Sequence, residues 1–448
     1  MTSYPLIGHT GPTQPLAYFR GRVRSAAQFL ADAAALAERL PDGDAVFNAC
    51  QNRYLFAVAL AACVLRDKVC LLPASRSADS VAQLREEAPE LCCVSDQPDG
   101  EPTLPTLQID DASLAPDGAA HWPPPAIPAQ QRVARLFTSG STGQPQGHDK
   151  HWGEFVPAML AGAARLGLER LPGFVALGTV PPQHMYGLES TVLRPLLCGG
   201  VLVDASPFFP ADIKAELARL PAPRVLVSTP FHLHTLLESG LSLPELALMT
   251  SATAPLASDL AGRLEARFGA PLLEIYGSTE TGQLATRRSA ETEQWECLSG
   301  VTLREDGPEG AIAEGGHLWQ PQRLNDRVLL DGARRFSLLG RNADLVNVAG
   351  KRSSLSYLTQ QLLAVPGVDD GVFFLPEEEG GAGKVARLAA LVVAPTLERE
   401  ALLAALRERI DAAFLPRPLK FVSRLPRNAI GKLPIDALRA VLDGANDE

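Results

Sequence analysis

The sequence predicts an α/β protein in two unequal parts: a large N-terminal domain built of α/β subdomains and a small α+β C-terminal domain. Three observations carry that prediction. Short apolar runs, such as Val69–Leu72, Arg224–Ser228 and Leu246–Thr250, alternate with stretches of helical periodicity. This is the rhythm of strands with helices packed on the faces of a sheet. A strand-like run, Val133–Phe137, opens directly into a loop of glycine and hydroxyl residues. After residue 300 the texture changes to short strands, turns and charge, and a boundary falls at Gly340.

Composition narrows the class. A chain of 448 residues with 46% hydrophobic and 21% charged residues has ample core for two or three domains. A net charge of −10 leaves no basic field for nucleic acid as the main partner. The longest apolar stretch, Tyr54–Leu65, falls well short of the roughly twenty residues a membrane span needs and runs into Arg66-Asp67-Lys68, so it reads as a buried helix. The start, Met1-Thr-Ser-Tyr-Pro, has no basic segment followed by an apolar one, so no signal peptide is expected. Seven cysteines without a Cys-x-x-Cys pair suit a reducing cytoplasm. His232-x-His234 and His148-x-x-His151 lack cysteine or acidic partners at ligand spacing, which argues against zinc.

Taken in order, residues 1–45 read as a helical lead-in, with apolar positions of Ala26–Leu40 at helical spacing. Residues 46–95 read as β-α-β units, with runs Val69–Leu72 and Leu91–Val94. Residues 97–130, rich in Pro, Asp and Ala, read as an exposed connector. Glu154–Leu168 is an Ala-rich helix, followed by strands Phe174–Val180, Val201–Asp204, Arg224–Ser228, Leu246–Thr250 and Leu272–Ile275, with helices near 211–219, 231–239 and 258–268 between them. Then come short strands Ala311–Gly316, Arg327–Leu330 and Arg335–Leu339. The C-terminal part holds helices near 356–364 and 398–413 and strands Val372–Leu375 and Ala386–Val393.

The loop Phe137-Thr138-Ser139-Gly140-Ser141-Thr142-Gly143-Gln144-Pro145-Gln146-Gly147 places three glycines and four hydroxyls in eleven positions. Glycine permits tight turning and close approach to a ligand. Successive free N–H groups cradle an anion, and the hydroxyls add donors. Its chemistry suits a polyphosphate, and also a plain polar turn after a strand. It is not the Gly-x4-Gly-Lys-Ser/Thr pattern of P-loop kinases and GTPases, which occurs nowhere in the chain. Ligands of α/β sheets bind beyond the carboxyl ends of strands. This loop, Pro181–Gly187, Ser251–Pro255 and Tyr276–Gly282 all leave strands at such an end and are expected to converge.

These stretches, in this order, resemble the adenylate-forming superfamily of acyl- and aryl-CoA synthetases, peptide-synthetase adenylation domains and luciferases. The resemblance covers residues 45–440 and rests on four motifs: Thr138-Ser-Gly-Ser-Thr-Gly-x-Pro145, Tyr276-Gly-Ser-Thr-Glu280, Gly340-Arg341 through Gly350-Lys351-Arg352, and Pro426-Arg427-Asn428-x-x-Gly431-Lys432. A weaker resemblance points to short stand-alone ligases that load aryl acids in pigment or polyene pathways. The superfamily implies a large adenylate-forming N-terminal domain (1–340), a hinge (341–344) and a small mobile C-terminal domain (345–448). It also implies ATP and Mg²⁺, a small carboxylic acid as substrate, and coenzyme A or another phosphopantetheine thiol, including that of an acyl carrier protein, as acceptor.

The resemblance assigns roles residue by residue. Thr138, Ser139, Gly140, Ser141, Thr142 and Gly143 would hold the β- and γ-phosphates. Glu280 would hold Mg²⁺, Thr279 would touch the α-phosphate, and Tyr276 and Gly277 would lie by the adenine, with Ser251 and Ala252 also on the nucleotide. Asp326, in Leu324-Asn325-Asp326, stands where the family has its ribose-binding Asp, with Asp331 as the rival and Arg341 as a second ribose contact. Lys432 would serve adenylation. His184 and Gly187 resemble the gate of acyl- and aryl-CoA ligases. Tyr186, Phe231 and Ser278 would line the acid pocket, with His232 and His234 as further polar tips. Ala343, Asp344, Gly350 and Arg352 would form the hinge and thiol face.

Two departures stand out. The loop lysine of the family is Gln146 here, so Lys150 or His148 is expected to meet the phosphate charge. The hinge position two residues after Arg341 is Ala343, with Asp344 following. The reading that follows is an ATP-dependent acid–thiol ligase working through an acyl-adenylate, with a small aryl acid favoured over a medium- or long-chain fatty acid. The alternative is a relative that binds a nucleotide or acyl-adenylate without turnover.

Overall fold

The computed structural model describes residues 2–73, 78–98, 101, 103–116, 118–139, 145–307, 310–341, 345–348, 351–376, 388–428 and 433–444. Two large sheets dominate the N-terminal part, beside a two-stranded and a three-stranded one. The six-stranded sheet runs, edge to edge, Pro145–His151, Arg132–Ser139, Val69–Leu72, Ala45–Asn48, Cys92–Ser95 and Thr106–Gln108. Its strands from Arg132–Ser139 onward are parallel to their neighbours, and Pro145–His151 is antiparallel at the edge. In the eleven-stranded sheet, strands Leu272–Ser278, Leu248–Ser251, Arg224–Ser228, Val175–Gly178, Val201–Val203 and Pro15–Phe19 run parallel in that spatial order. Antiparallel strands Gly282–Arg287, Trp295–Cys297, Arg335–Arg341 and Asp326–Asp331 extend one side.

Local chemistry explains the helices. Ser25 and Gln28 form a reciprocal capping box that starts Ala26–Arg39. Asn52 accepts from the N–H groups of Tyr54 and Leu55 to start Arg53–Leu65. That helix is apolar all round and buried along nearly its whole length, as expected of a helix enclosed between layers. Its first residue ties the helix to the eleven-stranded sheet. The buried guanidinium of Arg53 donates to the carbonyls of Val203 (2.8 Å), Gly178 (3.0 Å) and Val180 (3.1 Å) and to the Ser206 hydroxyl (2.8 Å). Five N–H donors in a planar fork suit a place where several strand ends present carbonyls together.

The C-terminal residues build their own sheets and core. A hairpin pairs Leu345–Val348 with Lys351–Ser354, and a second sheet orders Asp370–Phe374, Ala389–Val393 and Leu419–Phe421. Leu358, Leu362, Phe373, Leu402, Leu406 and Phe414 pack together beneath helices Leu355–Leu363 and Arg399–Arg407. The expected hinge residues 342–344 lie outside the described residues.

Three sequence readings change. Residues 1–45 are more than a helical lead-in: Pro15–Phe19 joins the large sheet beside Val201–Val203, and Ser3–Pro5 pairs with Ala126–Pro128. Residues 97–130 are not simply exposed, because Thr106–Gln108 is a sheet edge and Leu104, Ile109, Leu114 and Ile127 are buried. The helix expected over 398–413 spans Arg399–Arg407 and gives way to a short 3₁₀ turn, Ala412–Phe414. The missed strands are three to five residues long and their partners are remote in sequence, so local periodicity carries no trace of them.

Candidate nucleotide and acid site

The glycine-rich loop joins strands Arg132–Ser139 and Pro145–His151, which pair antiparallel with Gln146 opposite Thr138. Gly140, Ser141, Thr142 and Gly143 lie outside the described residues, as do the side chains of Thr138 and Ser139. On the second strand, side chains two apart share a face. Gln146, His148 and Lys150 therefore stand in one row. His148 Nε2 is 3.7 Å from Glu280 Oε1. Lys150, expected to meet phosphate, faces inward instead. It is 4% exposed and donates from Nζ to the carbonyl oxygen of Glu280 at 2.7 Å. Burial lowers its pKa, although the carboxylates of Glu154, Glu189 and Glu280 act in the opposite direction.

Glu280 lies in the turn between strands Leu272–Ser278 and Gly282–Arg287. The Ser278 N–H donates to Thr281 Oγ1 (3.1 Å) and the Thr281 N–H to Ser278 Oγ (3.3 Å), closing the turn on itself. Gly277 is required there, because a Cβ would stand 2.1 Å from the Gly282 carbonyl oxygen. Thr279, half-buried, precedes Glu280 on the same turn. Partial burial pulls the Glu280 pKa up, but the Ser278 hydroxyl, its own backbone N–H and the charges of His148 and Lys150 together hold the carboxyl below its ordinary value. An ionised, partly exposed carboxylate is a fitting ligand for Mg²⁺, which takes one or two protein oxygens and fills its shell from phosphates and water. Among the described residues no group of three His, Cys, Asp or Glu side chains forms a protein-only metal cage.

Tyr276, on the same strand as the turn, donates its hydroxyl to Asp326 Oδ2 at 2.7 Å. Its ring packs against Trp295 and Phe336 at centroid distances of 5.5 and 5.4 Å. Asp326 faces Arg341 across the strand pair, although the Arg341 side chain is outside the described residues. Asp331 lies at the far end of the same strand, opposite Arg335, and accepts from Gln294 Nε2 at 2.5 Å. So Asp326, not Asp331, shares a place with Tyr276. Ala343, Asp344, Gly350 and Lys432, and the side chain of Arg352, lie outside the described residues.

On the acid side, His184 precedes a helical run, Met185–Gly187, that continues through a π-helical segment, Leu188–Leu193, into Arg194–Leu197. Gly187 fits where no side chain does: a Cβ would stand 1.9 Å from the Pro181 carbonyl oxygen. The Tyr186 hydroxyl is 3.1 Å from Thr250 Oγ1, and burial raises the phenol pKa. Ser251 and Ala252 end the strand beside it, with the Ser251 hydroxyl buried and unpartnered in the structure. Thr253 follows at φ +79°, a region costly for a β-branched residue.

Phe231 and His232 begin the helix Pro230–Glu238. That helix packs with Leu226 and Met249, whereas Tyr186 packs with Val225, Val227 and Leu248. Because strand side chains alternate, these are opposite faces of the sheet. The body of the helix, at Leu233 and Leu236, and Tyr186 thus lie on opposite faces of the sheet. His232 is 2% exposed, with Nδ1 3.1 Å from Thr229 Oγ1 and 3.3 Å from Thr179 Oγ1, and the Phe208 ring meets it edge-on. Burial lowers its pKa to about 4. Phe231 lies instead under Arg427 of the Pro426-Arg427-Asn428 segment, whose guanidinium pairs with Asp370 (2.7 Å). Sequence reading missed Arg53, Phe208, Glu189 and His317, since nothing local marks residues whose partners are so distant.

The sequence profile of the family described as "AMP-binding enzyme" matches residues 10–305. A 4-coumarate–CoA ligase of Rhodobacter capsulatus is 30% identical over 311 residues, covering 68% of this chain and 76% of that one. Among solved structures, o-succinylbenzoate CoA synthetase (MenE) of Bacillus subtilis with its acyl-adenylate intermediate superposes with a TM-score of 0.80, at 20% identity, over 100% of this chain and 99% of that one. The same enzyme with ATP and a magnesium ion gives a TM-score of 0.77, at 20% identity, over 95% and 96% of the two chains. At such identities the structural likeness speaks for the fold.

Proposed function

The chain belongs to the AMP-binding enzyme family, and from that premise we propose that it is an ATP-dependent acid–thiol ligase for a small aryl acid. One observation carries the reading. The loop strand, the Glu280 turn and the Tyr276–Asp326 pair come from separate stretches of sequence and meet at the carboxyl ends of the strands. An oxygen of the substrate carboxylate attacks the α-phosphorus of ATP, and the bond to the bridging oxygen of pyrophosphate breaks. A thiol sulfur then attacks the acyl carbon of the mixed anhydride, and AMP leaves. Both steps depend on position and charge stabilisation rather than on protein covalent chemistry.

In this reading the loop residues 138–143 bind the β- and γ-phosphates, and Asp326 with Arg341 holds the ribose beside Tyr276. Glu280 would hold Mg²⁺, which supplies charge neutralisation on the phosphate oxygens. Thr279 adjoins the α-phosphate, and His184 with Gly187 gates the acid. Residues 1–340 form the nucleotide domain. Residues 345–448 form a mobile domain that delivers Lys432 for adenylation and turns about 341–344 to bring Gly350 and Arg352 to the thiol. A long-stemmed point charge suits delivery by a moving domain.

The acid carries no ammonium. Pro181–Gly187, Thr229–His234, Ser251–Pro255 and Tyr276–Ser278 contain no acidic residue to pair one, and an unpaired buried charge is costly. Tyr186 and Thr250 offer hydroxyls at the end of an apolar floor, which suits an aryl acid. Pyrophosphate release across benzoate- and cinnamate-type acids, long-chain acids and α-amino acids tests this. Turnover favouring an amino acid overturns the class, and a preference for long chains overturns the aryl reading. The acceptor is coenzyme A or the phosphopantetheine arm of a carrier protein, separable by offering each to the preformed adenylate. All seven cysteines are free thiols, and we place the enzyme in the reducing cytoplasm. Among the described residues no helix is long and apolar enough to cross a membrane.

A further inference from the structure

Beneath the Glu280 turn lies a small chamber of about 10 Å³, room for at most one water, with Phe155, Ala158 and Met185 as its apolar wall. Lys150, Glu154, Glu189 and His317 line it. Two of them hold successive carbonyls of the turn. Lys150 Nζ donates to Glu280 O at 2.7 Å, and His317 Nε2 donates to Thr281 O at 2.9 Å. Both donors are 4% exposed. Glu189 reaches the next residues, with Oε1 accepting from the Gln283 N–H at 3.3 Å and standing 2.8 Å from where a Cβ on Gly282 would lie. Glu154 is itself fixed by the His151 N–H and ring, each 2.9 Å away.

A buried ammonium is expensive unless paired and hydrogen-bonded. Here the nearby carboxylates of Glu154, Glu189 and Glu280 favour the charge, and the ammonium spends a donor on a turn carbonyl. With the carbonyls of residues 280 and 281 drawn inward, the Glu280 side chain projects the other way, toward His148 on the loop strand. We propose that Lys150 is a positioning residue for Glu280: its ammonium, with His317 beside it, fixes the turn so that the carboxylate faces the bound metal–polyphosphate. This rests on the role proposed above for Glu280. It also gives Lys150 a task other than phosphate binding. To reach a phosphate, its ammonium would have to leave the Glu280 carbonyl and its buried place.

The test compares Lys150→Met with Lys150→Met/Glu189→Gln, which removes the ammonium together with one of the chamber's two carboxylates, and with Glu280→Gln. Three quantities are read: the Mg²⁺ concentration for half-maximal pyrophosphate release, the calorimetric affinity for ATP with Mg²⁺ and with EDTA, and thioester formation from supplied acyl-adenylate. Loss of a group that orients a metal ligand costs about 10–100-fold in metal affinity. The expected result is a rise of about tenfold or more in the Mg²⁺ requirement for both Lys150 variants, loss of most of the Mg²⁺-dependent gain in ATP affinity, and an unchanged thioester step. A raised KM for ATP with an unchanged Mg²⁺ requirement makes Lys150 a phosphate ligand and overturns the proposal. An equal fall in both half-reactions that persists in the double variant makes it a packing residue and overturns the proposal as well. Should Glu280→Gln keep a normal Mg²⁺ response, the role of Glu280 itself fails, independently of Lys150.

Discussion

The hydroxyl of Tyr276 donates to Asp326 Oδ2 at 2.7 Å, joining the central strand of the site to the outermost strand of the same sheet. The bond holds the phenol ring edge and aims one oxygen of the carboxylate. A hydrogen bond to a charged group is worth about 1.5–3 kcal/mol. Asp326→Ala should therefore raise the KM for ATP by about tenfold or more, with kcat less affected. Asp331→Ala, at the far end of the strand, should leave it unchanged. Steady-state kinetics in ATP check both, and a larger effect at Asp331 would reverse the assignment.

The guanidinium of Arg427 lies over the Phe231 ring, with Cζ 5.3 Å from the centroid, while Asp370 holds its edge. One arginine thus links the segment leading to Lys432 to the helix Pro230–Glu238. A cation–π contact is worth about 0.5–2 kcal/mol. Phe231→Leu should slow adenylation by about two- to tenfold and spare thioester formation from supplied adenylate. Lys432→Ala should show the same split far more strongly, at about a hundredfold or more. Equal losses in both half-reactions would contradict both roles.

At Gly187 two effects oppose each other. The residue is helical at φ −65°, where alanine is favoured over glycine by about 1 kcal/mol. A Cβ would nevertheless stand 1.9 Å from the Pro181 carbonyl oxygen. Backbone must move to admit it, at about 1–3 kcal/mol or more, so the clash wins. Gly187→Ala should lower the melting temperature and displace the His184 turn, visible as a raised KM for the acid. An unchanged melting temperature and KM would show that the approach is looser than this.

His232 is buried and neutral, with its pKa lowered from 6.5 to about 4. The unfolded chain therefore binds a proton between about pH 6.5 and 4 that the folded chain does not, and stability falls as pH drops through that window. The full effect is about 3 kcal/mol. Glu189, pushed up to about 7 by burial, acts with the opposite sign, losing stability as pH rises from its ordinary value toward 7. His232→Asn should therefore flatten the acid side of the stability curve relative to the parent. Parallel denaturation curves for the two proteins between pH 7 and 4.5 would refute this.

The sequence by itself determined the α/β character, the order of the parallel strands' segments and the motifs by which the chain resembles its family. Each of these is written locally: an apolar run such as Arg224–Ser228, which the structure reproduces residue for residue, or a turn whose glycine is dictated by its own neighbours, as at Gly277. Tertiary structure alone decided which charge faces where. Lys150 and His148 sit two residues apart in one strand, and nothing in their spacing says that one ammonium is buried under Glu280 while the other ring meets its carboxylate. That Asp326 rather than Asp331 lies beside Tyr276, fifty residues away in sequence, is likewise visible only in the tertiary structure. Strand and helix signals are short-range because they arise from backbone geometry and periodic burial. The direction of a charged side chain depends on which remote carbonyls and carboxylates remain to be satisfied once the layers have packed.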